Sequence, residues 1–159
     1  MIEILEMRRA EIDDVVKRVR YGHLACSRDD QPYITPIYYS YDGSEIFIYT
    51  TAGRKTEIIM DNPKVCLQVE EIFAEGGWRS VIITGNARQI TDPEERERVI
   101  ALIRETNPQL LPALAIKWAN DWIRKNVEVV FAINILSVAG RFTSDVKITA
   151  ASVRPNFCG

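Results

Sequence analysis

Runs with a two-residue period, joined by connectors too short or too broken to be crossover helices, constrain this chain more than any other feature. Tyr33, Thr35, Ile37, Tyr39 and Tyr41 fall on one side of an extended segment, with Ile34, Pro36, Tyr38 and Ser40 on the other. Pro36 has no N–H for a ladder, which places it at an edge, a bulge or an opening in the sheet. Asp42-Gly43-Ser44 then predicts a hairpin into a strand from Glu45 to Thr50.

Further strands are expected from His23 to Ser27, around Val65, Leu67 and Val69, over a bent Trp78 to Ile90 interrupted at Gly85, and from Val127 to Val138. Helical spacing covers only Ile12 to Val19, a short piece from Thr56 to Met60, and two stretches between 93 and 124. The first of these two opens on Asp92-Pro93-Glu94-Glu95, an N-cap, a first-turn proline and a glutamate placed for reciprocal capping. The second is expected between Pro112 and Arg124, where Leu114, Trp118 and Trp122 share a face. So many strands with so few long helices do not make a doubly wound parallel sheet. The expected fold is an all-β core with peripheral helices, a mainly antiparallel small barrel.

Residues 1–159 are long enough for one substantial core and too short for two ordinary domains. A net charge of −2 does not point to a polyanion-binding surface, so nucleic acid is not expected as a partner. Neither terminus reads as a secretory leader, and no run approaches the ~20 apolar residues of a membrane span, so the expected compartment is the cytoplasm. Cys26, Cys66 and Cys158 form no CxxC pair, and Cys26 and Cys66 read as core thiols. With His23 the single histidine, no multi-histidine metal centre is expected.

Chemistry concentrates where the strand ending at Thr50 runs into Thr51-Ala52-Gly53-Arg54-Lys55-Thr56. Hydroxyls on Thr50, Thr51 and Thr56, the cations Arg54 and Lys55, and the amides of the following helix can converge on one phosphate. An ordinary strand-to-helix connection with solvated cations fits the same residues. The pairs Asp29-Asp30 and Glu70-Glu71 do not make a hydrolytic dyad, and neither GxSxG nor GxxxxGK[ST] occurs.

Gly22-His23-Leu24-Ala25, Pro32-Tyr33-Ile34-Thr35-Pro36, the Tyr49-Thr50 to Arg54-Lys55 segment, Asn62-Pro63-Lys64-Val65, and Trp78-Arg79-Ser80-Val81 with Gly85 follow in order. As a set, from about Met7 to Arg141, they resemble the pyridoxamine 5′-phosphate oxidase-like, FMN-binding split-barrel superfamily, and within it the compact nitroimidazole-resistance-type branch. The resemblance implies a split β-barrel, FMN as cofactor and a homodimer with the cofactor near the subunit interface. It assigns Arg54 and Lys55 to the phosphate, with Thr50, Thr51 and Thr56 as neighbours, and Pro36, Ile37 and Tyr38 to the strand passing the flavin ring. Trp78 and Ser80 begin the strand that approaches from the second subunit. Tyr38 and Trp78 also fit plain packing or interface roles.

The expected function is that of an FMN-dependent oxidoreductase passing electrons from a reduced nicotinamide nucleotide to a small acceptor, with no side chain assigned a catalytic role. The alternatives are a non-enzymatic flavin-binding or storage protein, a pyridoxamine 5′-phosphate oxidase, and a haem-binding protein. The ending from Ala139 to Gly159 lacks the arginine-rich closing pattern that the vitamin oxidase uses.

Overall fold

The computed structural model describes residues 2–107 and 128–143. Its strands are β1 (Ile4–Glu6), β2 (Tyr21–Arg28), β3 (Gln31–Tyr38), β4 (Ser40–Tyr41), β5 (Glu45–Thr50), β6 (Lys64–Ile72), β7 (Trp78–Gln89) and β8 (Val129–Thr143). The helices are α1 (Arg9–Val19), α2 (Arg54–Asp61) and α3 (Pro93–Thr106). All strand pairs are antiparallel, in the order β3-β2-β6-β7-β8-β5-β4 with β1 on β8. This is the curled sheet with peripheral helices expected of a split β-barrel. Among the described residues β3 and β5 are not paired, so the barrel is open between them. No described helix is long and apolar enough to cross a membrane.

Alternation sets the two sides of the sheet. Leu24, Ile46, Ile48, Leu67, Val69, Val81, Ile83, Phe131 and Ile133 fill the interior, closed by Ile12, Val15 and Val16 of α1 and Ile58 and Ile59 of α2. The opposite face of β5 and β8 is apolar as well. Phe47, Tyr49, Val130 and Ala132 pack there against Val99 and Ile103 of α3. Burial at these positions is the main stabilising term, at about 1.5–3 kcal/mol per large side chain.

Several local expectations meet adjustments. The strand from Val127 to Val138 is β8, which starts at Val129 and runs on to Thr143, picking up β1 on its last residues. The break expected at Gly85 is a register shift between Thr84 and Gly85 within a continuous β7. There a Cβ on Gly85 would stand 2.4 Å from the Asn134 carbonyl oxygen, so only glycine allows the two strands to meet. At α3, Asp92 accepts from the Glu95 N–H at 2.9 Å, but the Glu95 carboxylate turns to Arg88 instead of completing the reciprocal cap. The helix expected between Pro112 and Arg124, Trp118 and Trp122 with it, and Cys158 lie outside the described residues. Cys26 is buried, whereas Cys66 sits half-buried on the outward face.

Two polar devices hold α1 to the barrel. The Tyr39 hydroxyl donates to the Val16 carbonyl at 2.8 Å with the Tyr39 ring fully buried. Glu71, buried at the end of β6, takes both terminal nitrogens of Arg18 and has Arg79 at 3.9 Å.

Candidate functional site

The strand β5 delivers Thr50 at its buried end, Thr51 is exposed in the connection, and α2 begins at Arg54, so both cations stand in its first turn. This is two residues earlier than the sequence pattern places the helix. The Thr56 hydroxyl explains the start: it donates to the Gly53 carbonyl at 2.7 Å and accepts from the Gly53 N–H at 2.9 Å. That bond satisfies Gly53 and commits the Thr56 proton to the cap. The amides of Arg54, Lys55 and Thr56 have no intrahelical acceptor, as at any helix N-terminus, and face an anion-favouring end of the dipole.

Gly53 has φ 164° and ψ −165°, extended backbone open to any residue, and a Cβ added there would meet nothing within 4 Å. Neither strain nor packing within the described chain calls for glycine. The space it leaves lies beside the free amides and the cations.

Among the described residues neither Arg54 nor Lys55 makes an ion pair, while Arg8, Arg9, Arg18, Arg28, Arg79, Arg88 and Arg96 all do. Arg54 is exposed, its guanidinium carbon 5.4 Å from the centre of the Tyr33 ring on β3. Lys55 is half-buried; burial holds its ammonium below the usual lysine range, with the Cys26 thiol opposing that shift. Cys26 is pushed up by its own burial, with Lys55 pulling it down. The folded pKa of Lys55 lies below the unfolded one. Its charge therefore costs stability below the folded value, and that cost fades as pH rises toward the unfolded value. An anion beside Lys55 would supply a counter-charge and offset that cost.

The strand β3 borders the opening. Tyr39 donates its N–H to the Arg20 carbonyl at 3.1 Å, so by alternation Ile37, Thr35 and Tyr33 turn their backbone groups to β2. Pro32, Ile34, Pro36 and Tyr38 then turn theirs to the free edge. Both prolines stand where a missing N–H breaks no ladder bond. The Tyr38 N–H and the Pro36 carbonyl face the opening, whereas Ile37 is buried at 6% exposure and its backbone is engaged with Gly22 of β2.

Side chains divide the sequence-derived set further. Pro36 and Tyr38 lie on the outward face with Tyr21 and His23. Tyr21 sits 5.1 Å from Tyr38 and 5.9 Å from His23, ring centre to ring centre. Trp78 and Ser80 also face outward, but at the far end of the sheet: Trp78 pairs with Ile72, and Lys64 beside α2 pairs with Asn86. Roughly 25 Å of strand separates those ends, so Trp78 and Ser80 do not join Arg54 within one chain. A cleft of about 410 Å³ on the other side of α2 is lined by Arg28, Thr56, Glu57, Met60, Asp61, Gln89 and Val129. It carries the Arg28–Asp61 pair and neither Arg54 nor Lys55.

Neither Gly53 alone nor Tyr33 carries a site signal in the sequence. The alternation that puts Tyr33 on the interior face was legible, but its meeting with Arg54 comes from the curl of the sheet. No group of three or more metal-ligating side chains occurs among the described residues.

The family described as Pyridoxamine 5′-phosphate oxidase matches residues 8–141. An uncharacterised protein of Rhizobium meliloti (strain 1021) is 39% identical over 84 residues, covering 53% of this chain and 56% of that protein. The chain thus spans little more than half the length of that curated relative. A FAD-binding protein of Mesorhizobium loti is 27% identical, with a TM-score of 0.72 over 91% of this chain and 100% of its own. A candidate 5-nitroimidazole antibiotic resistance protein of Bacteroides thetaiotaomicron is 14% identical, with a TM-score of 0.71 over 90% of this chain and 89% of its own, a likeness of fold.

Gly53→Asp separates folding from anion binding. Aspartate is among the best N-caps and has open space at this position, so urea unfolding is expected at the wild-type midpoint or above. If a flavin nucleotide seats its phosphate here, the aspartate charge weakens its binding at least about tenfold in titrations of the apo-protein. Wild-type affinity in this variant would place the phosphate elsewhere.

Proposed function

The chain belongs to the pyridoxamine 5′-phosphate oxidase family, and on that premise we propose that it binds FMN at the first turn of α2 and works as an FMN-dependent oxidoreductase. The donor in this reading is a reduced nicotinamide nucleotide and the acceptor a small molecule, in the manner of the compact nitroimidazole-resistance-type branch. Residues 1–159 act as a single flavin-binding domain, cytoplasmic and without a membrane or nucleic-acid partner. The observation that carries the reading is the pair Arg54 and Lys55, in ion pairs with no carboxylate among the described residues, at a helix end with three free amides and a bare N-cap.

The residues present fit a flavin phosphate. Arg54 offers a planar fork and Lys55 a half-desolvated point charge, with Thr50 and Thr51 as hydroxyl neighbours. Thr56 acts through its amide, its hydroxyl being held by Gly53. Bound flavin supplies the electron-accepting ring that none of the side chains provides. Tyr38 N–H and the Pro36 carbonyl are placed for polar ring edges, with Ile37 packed behind them. The chain's work is thus to bind, orient and exclude water, and no triad or metal is called for.

The outward face favours a homodimer. Tyr21, Ile34, Ile72 and Ile82 are 40%, 64%, 69% and 38% exposed on it, an apolar surface that a second copy would cover. That arrangement is also what brings Trp78 and Ser80 of one subunit toward the Arg54 end of the other. FAD is the second reading of the ligand, favoured by the Mesorhizobium loti protein; the mass of the ligand released on denaturation separates the two.

Arg54→Ala is expected to weaken FMN binding by roughly 2–4 kcal/mol and riboflavin binding little, because riboflavin has no phosphate for the guanidinium to hold. Equal loss for both would indicate a ring contact or a damaged barrel. Anaerobic addition of reduced nicotinamide nucleotide should bleach the flavin absorbance, and an added nitroaromatic acceptor should restore it. A flavin that stays oxidised would reduce the protein to a flavin binder or store. Light scattering of the flavin-loaded protein at micromolar concentration should give twice the 18.1 kDa chain mass, and a monomeric mass would remove Trp78 and Ser80 from the site.

A further inference from the structure

We propose that Tyr33 is the positioning residue of the anion seat: its ring face holds the Arg54 guanidinium over the opening between β3 and α2 without neutralising it. The inference rests on the phosphate reading of Arg54. Its basis is the 5.4 Å separation of the Arg54 guanidinium carbon from the Tyr33 ring centre, together with the absence of an ion pair on Arg54 among the described residues.

An exposed arginine on a flexible stem loses rotamer freedom when it grips an anion, and something must hold it ready if the grip is to be tight. Carboxylates do this for Arg18 and Arg88, which are held by Glu71 and Glu95. Such a partner occupies guanidinium N–H groups and cancels the charge that the phosphate needs. An aromatic face attracts the cation through its quadrupole and uses none of the guanidinium's five in-plane donors. The other arginine seated on a ring among the described residues, Arg79 over Phe73 at 5.7 Å, also has Glu71 at 3.9 Å, so its charge is answered within the protein. Among the described residues Arg54 has the ring and no ion pair.

Tyr33 is suited to this by where it stands. It lies on the interior face of β3, half-buried against the main core and paired with Cys26 of β2, the residue beside Lys55. One strand pair therefore places both cations: Tyr33 beneath Arg54, and Cys26 beside Lys55. The contact also crosses the open side of the barrel, where β3 and β5 share no ladder.

Titration of apo-protein with FMN and with riboflavin tests this in wild type, Tyr33→Phe, Tyr33→Leu, Arg54→Ala and the Tyr33→Leu/Arg54→Ala double variant, with thermal unfolding recorded for each. Tyr33→Leu should lose about three- to tenfold in FMN affinity with riboflavin unchanged, and Tyr33→Phe should keep FMN affinity within about twofold. In the Arg54→Ala background the leucine substitution should cost nothing further. Three results would overturn the proposal: a Tyr33→Leu variant with wild-type FMN affinity, a loss that persists without Arg54, or a Phe variant as weak as the Leu variant, which would make the hydroxyl the working group. If Arg54→Ala itself leaves the ratio of FMN to riboflavin affinity unchanged, the phosphate reading fails instead. A loss of riboflavin affinity matched by a lower melting temperature would mark Tyr33 as a core residue only.

Discussion

The rest of the structure depends on one strand being paired along both edges. Over Phe131–Asn134, β8 is bonded to β5 on one side and to β7 on the other, and from Ile135 it continues along β7 to reach β1. Two neighbours on a right-twisted strand cannot stay flat, and the sheet curls around its apolar face. The shift at Thr84/Gly85, where only a bare Cα lets β7 approach the Asn134 carbonyl, sharpens the bend. Once β5 is bound to β8 and β3 to β2, β3 and the β4–β5 hairpin that follows it in the chain stand at opposite ends of the strand order. The opening of the barrel follows from pairing elsewhere.

Charge is arranged around that opening in an uneven way. At the far end the carboxylate of Glu71 answers Arg18 and Arg79, and α1 is held down by this buried group and by the Tyr39 hydroxyl. At the α2 end two adjacent cations have no carboxylate partner among the described residues. A half-buried ammonium with its pKa depressed by burial costs the protein stability, a cost that an anion beside it would offset. Tyr33 and the bare N-cap at Gly53 belong to the same arrangement: one orders a cation without neutralising it, and the other leaves room beside it.

How much of this was legible in the chain varies with the range of the interaction. The Tyr33-to-Tyr41 alternation, the Asp42-Gly43-Ser44 turn and the Asp92-Pro93 helix start are local, and each appears where its chemistry puts it; Asp42 accepts from the amides of Ser44 and Glu45 at 2.8 Å. β1 has three residues and no alternation to announce it, and exists because β8 overshoots. Glu95 has the spacing of a local cap, but Arg88 on the adjoining strand offers a two-pronged guanidinium, and that bidentate ion pair outweighs a single bond from a backbone amide.

By itself, then, the sequence determined which segments are strands, which face of each is apolar, and that two cations follow a threonine-rich strand end, because backbone dihedrals and side-chain alternation are set within a few residues. Only the tertiary structure decided that Arg54 lies on the ring of Tyr33, that Lys55 sits half-buried beside Cys26, that the Thr56 hydroxyl belongs to the Gly53 cap, and that Trp78 and Ser80 stand at the opposite end of the sheet. Those relations depend on strand order and curl. Both are set by which long-range pairings bury the most apolar surface at once, a property of the whole sheet that no single segment carries.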